Sequence, residues 1–148
     1  MIYLDGSSLT IDQVVEIARN KAEVGLSEEA KKNIQISRDI VEKNIEEKKV
    51  IYGLNTGFGK FVNVAISENE LDKLQLNLIL SDAVGVGDPF KQDVTRAIML
   101  LRVNALAKGF SGIRLSTVET MIAMLNKGVH PVIPKKGSVG SSGDLCPL

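Results

Sequence analysis

Apolar residues recur along most of this chain at helical rather than strand spacing. Thr10-Ile11-Asp12-Gln13 has the form of a capping box, so a first helix is expected from there to near Gly25. Ser27 opens a second, with Glu28 and Glu29 where acids complement the positive end of the helix dipole. Its Ala30, Ile34, Val41 and Ile45 share one face, and the lysines and glutamates opposite read as a solvated side without function. Ser67 with Glu70 predicts another cap, ahead of an apolar run through Leu71, Leu74, Leu78 and Ala83. Leu76 and Leu80 make that run apolar nearly all round, which predicts burial or a partner. Gly85 to Gly87 interrupt it. Asp88-Pro89 then has the cap-then-proline form, opening a helix that carries Val94, Ile98, Leu101 and Ala105 and stops at Gly109. Ser116 with Glu119 predicts the cap of a last helix ending at Gly128.

The expected architecture is therefore mainly α, five helices with scraps of strand such as Ile2 to Leu4, in a single domain over residues 1–148. That length, with 44% hydrophobic residues, supports one real core. Eighteen basic residues balance eighteen acidic ones, which argues against a nucleic-acid or anionic-membrane partner. No stretch has the length and apolarity of a spanning helix, and Met1-Ile2-Tyr3-Leu4-Asp5 is not a signal peptide. One cysteine, Cys146, forms no internal disulfide and fits a reducing compartment, so the expected location is cytoplasmic. A single histidine and a single cysteine argue against a dedicated metal site.

The candidate chemistry lies near the end of the sequence. Pro131-Val132-Ile133-Pro134 is a stiff extended lead-in. It runs into Gly137-Ser138-Val139-Gly140-Ser141-Ser142-Gly143, then Asp144-Leu145-Cys146-Pro147-Leu148. A glycine- and serine-rich run is compatible with a linker, although the apolar residues after Asp144 are unlike a tail. The same run permits a backbone reaction. The Gly143 nitrogen is the least hindered kind of amide and has access to tight conformations. Attack on the Ser141 carbonyl carbon would close a five-membered ring, and loss of water from the ring and from Ser142 would leave an exocyclic methylidene. That group is an electrophile, which no unmodified side chain supplies.

A second glycine-rich stretch, Gly53-Leu54-Asn55-Thr56-Gly57-Phe58-Gly59, follows Tyr52. As a phosphate-binding loop it lacks a glycine at Leu54 and a hydroxyl at Phe61, and the dinucleotide fingerprint lacks its third glycine. A plain surface loop and an active-site loop both remain open on the residues alone.

Gly-Ser-Val-Gly-Ser-Ser-Gly-Asp-Leu resembles the signature of the aromatic amino-acid ammonia-lyases, the histidine-acting members most, and Tyr-Gly-Leu-Asn-Thr-Gly-Phe-Gly is similar to their second signature. Further similar stretches are Leu80-Ser81, Gly85-Val86-Gly87, Leu100 through Gly109, and Gly128-Val129-His130-Pro131, so the resemblance covers the whole chain. It implies the N-terminal part of the ammonia-lyase (L-aspartase-like) helical fold. It also implies the prosthetic group 4-methylidene-imidazol-5-one, formed from Ser141, Ser142 and Gly143, with no metal and no nucleotide. Ser141 stands where the family usually has alanine, as a spectator in ring closure. Tyr52 matches the catalytic tyrosine that moves a proton, and Asp144 the family's aspartate after the triad, read as orienting the loop through backbone amides with the cap of a following helix as the alternative; Asn55 and Gly59 are read as shaping the site, with a plain turn as the alternative for the glycine.

The implied reaction is non-oxidative deamination of L-histidine to trans-urocanate and ammonia, in a homotetramer when the chain is full length. Family members are longer, so the resemblance makes this an N-terminal fragment, inactive alone. Asp82 stands where the histidine lyases carry histidine; as a substrate-binding residue it would pair with an imidazolium or accept from its N–H. The change equally fits a tyrosine or phenylalanine lyase or aminomutase. Outside catalysis, the alternatives are an anion-binding module and an inactive helical interaction protein. His130 precedes proline with no proton partner adjacent in sequence, Cys146 reads as a packing residue, and nothing positions Arg102 or Arg114.

Overall fold

The computed structural model describes residues 1–51, 56 and 71–137. Its elements run β1 (Ile2–Leu4), α1 (Ile11–Ala18), β2 (Val24–Leu26), α2 (Glu28–Glu46), α3 (Leu71–Asp82), β3 (Val86–Pro89), α4 (Gln92–Leu106), α5 (Leu115–Lys127) and β4 (Pro134–Lys136). The fold is mainly α, as the hydrophobic spacing predicts. Contacts divide the chain into two compact units, Met1–Glu42 with Phe90–Val132, and Lys43–Pro89 with Ile133–Leu148.

In the first unit, β1 and β2 pair in parallel, Ile2 opposite Val24 and Leu4 opposite Leu26. Parallel neighbours need a crossover, and α1 supplies it. The capping box forms as expected: Thr10 Oγ1 accepts from the Gln13 amide at 3.3 Å, and the Gln13 side chain accepts from the Thr10 amide at 3.0 Å. The helix ends at Ala18 rather than near Gly25. Its last amides fold back, with Ala22 N–H donating to the Glu16 carbonyl at 3.1 Å, and Lys21 takes a left-handed conformation at φ 59°. Residues 24–26 are thereby released to form β2.

Ser27 opens α2 as predicted, its Oγ accepting from the Ala30 amide at 3.1 Å. Ala30 and Ile34 are buried and Val41 and Ile45 half-buried, so the expected apolar face of α2 is the inward one. Ala30 and Ile34 join Leu4, Ile17, Val24, Leu26, Met99, Leu100, Val103, Leu106, Val118, Ile122 and Leu125 in one core.

On α4 the expected stripe faces the wrong way. Thr95, Arg96, Met99, Leu100, Val103 and Leu106 are buried, while Val94 and Leu101 are exposed. At about 100° per residue the two sets lie on opposite sides of the helix. Both sides are rich in apolar residues, and the buried one begins with a threonine and an arginine, which hides it from hydrophobic periodicity. Two caps also differ. Asp88-Pro89 lies in β3, and the α4 N-cap is Lys91 without a side-chain bond. Ser116 sits inside α5, whose N-cap is Arg114, and its carbonyl accepts from Thr120 Oγ1 at 2.7 Å. The C-terminal end of α5 is as expected, Gly128 closing it at φ 71° with its amide on the Leu125 carbonyl.

The second unit contains α3 and an antiparallel ladder of β3 and β4. On α3, Leu76, Ile79 and Leu80 are exposed in this chain, at 56%, 65% and 65%, so of the two expectations, burial or a partner, burial is not the one met here.

Candidate functional site

Of the candidate residues, Tyr52, Asn55, Gly59, Ser141, Ser142, Gly143 and Asp144 lie outside the described residues, as do Cys146 and the Ser67–Glu70 cap. Asp82 is placed by its backbone as the last residue of α3. Thr56, within the glycine-rich stretch that follows Tyr52, is buried and takes part in a β-bridge.

The described residues that precede and follow these stretches in the chain are as follows. In the β3–β4 ladder, Val86 pairs with Lys136 and Pro89 with Pro134, with an irregular register between them. Proline cannot donate to a ladder and is tolerated at its ends; here two prolines close one end. At the other end the chain arrives from Asp82 through residues 83–85 and departs through Gly137 toward the serine-rich stretch. Gly87, inside the ladder, is left-handed at φ 84°. A single left-handed glycine is the mark of the G1 type of β-bulge.

The stretch Leu100 through Gly109 serves packing. Asn104 Oδ1 accepts from the Gly6 amide at 3.2 Å and holds the turn after β1. Gly109 is left-handed at φ 73°, and a Cβ there would lie 2.6 Å from the backbone carbon of Asn33 on α2. Only glycine lets these segments approach so closely. His130 has a partner that the sequence did not suggest: its Nδ1 lies 2.8 Å from the Gly128 carbonyl. Arg102 and Arg114 are exposed, and neither has a carboxylate partner among the described residues.

Two residues carry structural weight that sequence reading missed. Arg96, 2% exposed, donates to the carbonyls of Ala18 at 3.1 Å, Ile17 at 2.8 Å and Leu125 at 2.7 Å. Its guanidinium thus sits against the C-terminal ends of α1 and α5, where the helix dipoles are negative. An arginine one turn ahead of Met99 and Leu100 on the same helix face was the available signal. Asn126 accepts from the Val24 amide at 3.0 Å and donates to the Val24 carbonyl at 2.8 Å, closing the free edge of β2 like one residue of a third strand.

A groove of about 400 Å³ opens on the first unit beside Tyr3, Glu28, Lys31 and Glu119. It contains none of the candidate residues. Its charges largely neutralise one another: Lys31 Nζ lies 2.6 Å from Glu28 Oε1, and that bond raises the ammonium pKa. Among the described residues, no group of three or more His, Cys, Asp or Glu side chains could hold a metal ion, and no helix is long and apolar enough to cross a membrane.

Comparison with known proteins places the chain among its relatives. A family model described as "Aromatic amino acid lyase" matches residues 9–148. The histidine ammonia-lyase of Caldanaerobacter subterraneus subsp. tengcongensis is 60% identical over 147 residues, which is 99% of this chain and 29% of that protein. The crystal structure of histidine ammonia-lyase from Trypanosoma cruzi matches with a TM-score of 0.88 and 40% identity, over 99% of this chain and 28% of that one. A tyrosine aminomutase from Streptomyces globisporus matches with a TM-score of 0.87 and 37% identity, over 93% of this chain and 26% of that one. The chain spans about 29% of the length of the curated relatives it matches.

Proposed function

The chain belongs to the aromatic amino acid lyase family, and from that premise we propose that a polypeptide of its relatives' length built on it deaminates L-histidine to trans-urocanate and ammonia. The observation that carries this reading is identity of 52–60% to histidine ammonia-lyases along essentially the whole sequence, both glycine-rich stretches included. The working form in this reading is a cytoplasmic homotetramer.

The reaction has two obstacles: a β-proton of low acidity and an amine that leaves poorly. General acid–base catalysis supplies about 10²- to 10⁴-fold, which does not meet both. Ser141, Ser142 and Gly143 have the chemistry to form 4-methylidene-imidazol-5-one. The Gly143 nitrogen bonds to the Ser141 carbonyl carbon, whose oxygen leaves as water, and Ser142 loses its hydroxyl and α-hydrogen as a second water. No oxidant is consumed. Once formed, the group supplies an electrophile for the substrate amine, covalent catalysis of opposite polarity to a serine or lysine nucleophile.

The chain's own residues do the rest. Tyr52 takes the β-proton; a phenol titrates near pH 10 in water, so its phenolate must be stabilised, and the backbone amides of residues 53–59 are suited to that. Asn55 and Gly59 shape that loop, and Asp144 orients the triad through backbone amides. Asp82 accepts a hydrogen bond from the imidazole of the substrate.

A second reading rests on Asp82 and on the likeness to a tyrosine aminomutase: the same scaffold acting on tyrosine or phenylalanine. Ultraviolet assays of the full-length polypeptide, with chromatography of the amino-acid products, separate the two. Urocanate from histidine supports the first, and cinnamate-type products or β-amino acids support the second. Loss of activity in Ser142→Ala, with Ser138→Ala active, supports the triad. Equal activity in both would remove it from the mechanism.

A further inference from the structure

The β3–β4 ladder joins two stretches that are far apart in sequence, and it does so at one end. Because the strands are antiparallel, the residue entering β3 at Val86 and the residue leaving β4 at Lys136 are neighbours. Four residues back from Val86 is Asp82, at the end of α3; five residues on from Lys136 is Ser141. The reach of so few residues is short, about 3.3–3.6 Å each when fully extended. The register of the ladder therefore controls where both stretches start from.

That register is not regular. The spacing from Val86 to Pro89 on one strand exceeds the spacing from Pro134 to Lys136 on the other by a residue, and the surplus is accommodated where Gly87 is left-handed at φ 84°. Space is not the reason for glycine here. A Cβ at Gly87 would meet only the side chain of Lys136, at 3.6 Å, an ordinary contact. The requirement is the backbone conformation itself, which other residues adopt at a cost. A side chain at Gly87 thus favours a regular ladder without the extra residue, and a slip by one residue would turn the neighbouring positions to the opposite face.

We propose that Gly87 is a positioning residue for the reaction: its left-handed bulge sets the β3–β4 register and, through it, the point from which the chain sets out toward the self-condensing stretch on one strand and the point at which it arrives from the end of α3 on the other. This rests on the reading of Ser141-Ser142-Gly143 given above. Gly87 acts through the ladder and does not touch substrate.

Gly128 provides a matched control. It is also left-handed, at φ 71°, with nothing within 4 Å of where a Cβ would stand, but it ends α5 in the first unit rather than the ladder. The experiment compares Gly87→Ala with Gly128→Ala in the full-length polypeptide, by intact mass, melting temperature, kcat and KM for histidine. The two are expected to melt within a few degrees of each other. Gly87→Ala is expected to lose at least tenfold in kcat or to carry a substantial fraction of undehydrated triad, while Gly128→Ala keeps the parent values. Gly87→Asn, which tolerates the left-handed region better, is expected to recover part of the loss. Equal mass and kinetics in the two alanine variants would overturn the proposal. Should an alanine variant fail to fold, the same comparison is read from Gly87→Asn against Gly128→Asn, with the same criterion. A parent protein that is active without dehydration would instead overturn the triad reading, so the two failures are distinguishable.

Discussion

Replacing Arg96 by methionine removes a guanidinium that satisfies three carbonyls at the ends of two helices, and the size of the effect follows from the geometry. Leu125 keeps a donor, because Gly128 N–H also reaches its carbonyl at 3.2 Å. The carbonyls of Ile17 and Ala18 lose the 2.8 Å and 3.1 Å bonds from Arg96. A buried polar group left unsatisfied costs about 1–3 kcal/mol, so two give about 2–6 kcal/mol. The guanidinium no longer has to be desolvated, which offsets part of this, and methionine fills much of the volume. The net expectation is a loss of about 3 kcal/mol, a large share of the ~5–15 kcal/mol that holds a domain folded. Arg96→Lys keeps the charge and a donor beside the helix ends, and should lose about half as much. Arg102→Met, on the exposed side of α4, should stay within about 0.5 kcal/mol. Denaturant unfolding of the four proteins, with equal m-values, is the assay. A loss below about 1 kcal/mol for Arg96→Met, or a lysine variant no better than methionine, would refute this account of the helix ends.

Other sites give further expectations. Asn126→Ala should cost about 1–2 kcal/mol, since it strips both bonds from Val24 at the edge of β2; hydrogen exchange at the Val24 amide should accelerate with it, and unchanged protection would count against the edge-closing role. Gly109→Ala combines a left-handed backbone with a Cβ 2.6 Å from the Asn33 backbone, so unfolding should show a loss of about 2–4 kcal/mol, well above the ~1–2 kcal/mol of conformational strain alone. The amides of Ser7 and then Ser8 hold the Asp5 carboxyl down to about 2 from an ordinary 3.8. A lowered carboxyl pKa stabilises the folded turn above about pH 4, and that contribution disappears as pH falls through about 2. A carboxyl-carbon NMR titration should place Asp5 near that lower value; a midpoint near 3.8 would mean that the turn does not hold in solution.

How much of this was legible in the sequence depended on how local the cause was. The Thr10–Gln13 box, the Ser27 start of α2 and the Gly128 end of α5 are decided by neighbours within a few residues, and all three are where the pattern put them. The end of α1 is not local. Lys21 is left-handed without being glycine, and the helix-end carbonyls are satisfied by Arg96, 78 residues away from Ala18. The inward face of α4 was missed for the same reason, since the residue that marks it is charged and its partners are remote. Asp88-Pro89 carries a true cap signature, yet its region is claimed by pairing with Pro134. On the candidate site the division is similar. The triad, Tyr52 and Asp144 are proposed from chemistry and motif, which a sequence displays directly, and they lie outside the described residues. The ladder of β3 with β4 depends on a pairing across 45 residues, from Pro89 to Pro134, and no local pattern announces it.

The central claim is that the backbone at Ser141-Ser142-Gly143 condenses on itself to make the working electrophile. Intact-mass analysis of the active full-length polypeptide, beside its Ser142→Ala variant, tests it most directly. The parent chain should be lighter than its sequence by two waters, and the variant inactive and without that two-water deficit. A parent that turns over histidine at its unmodified mass would contradict it.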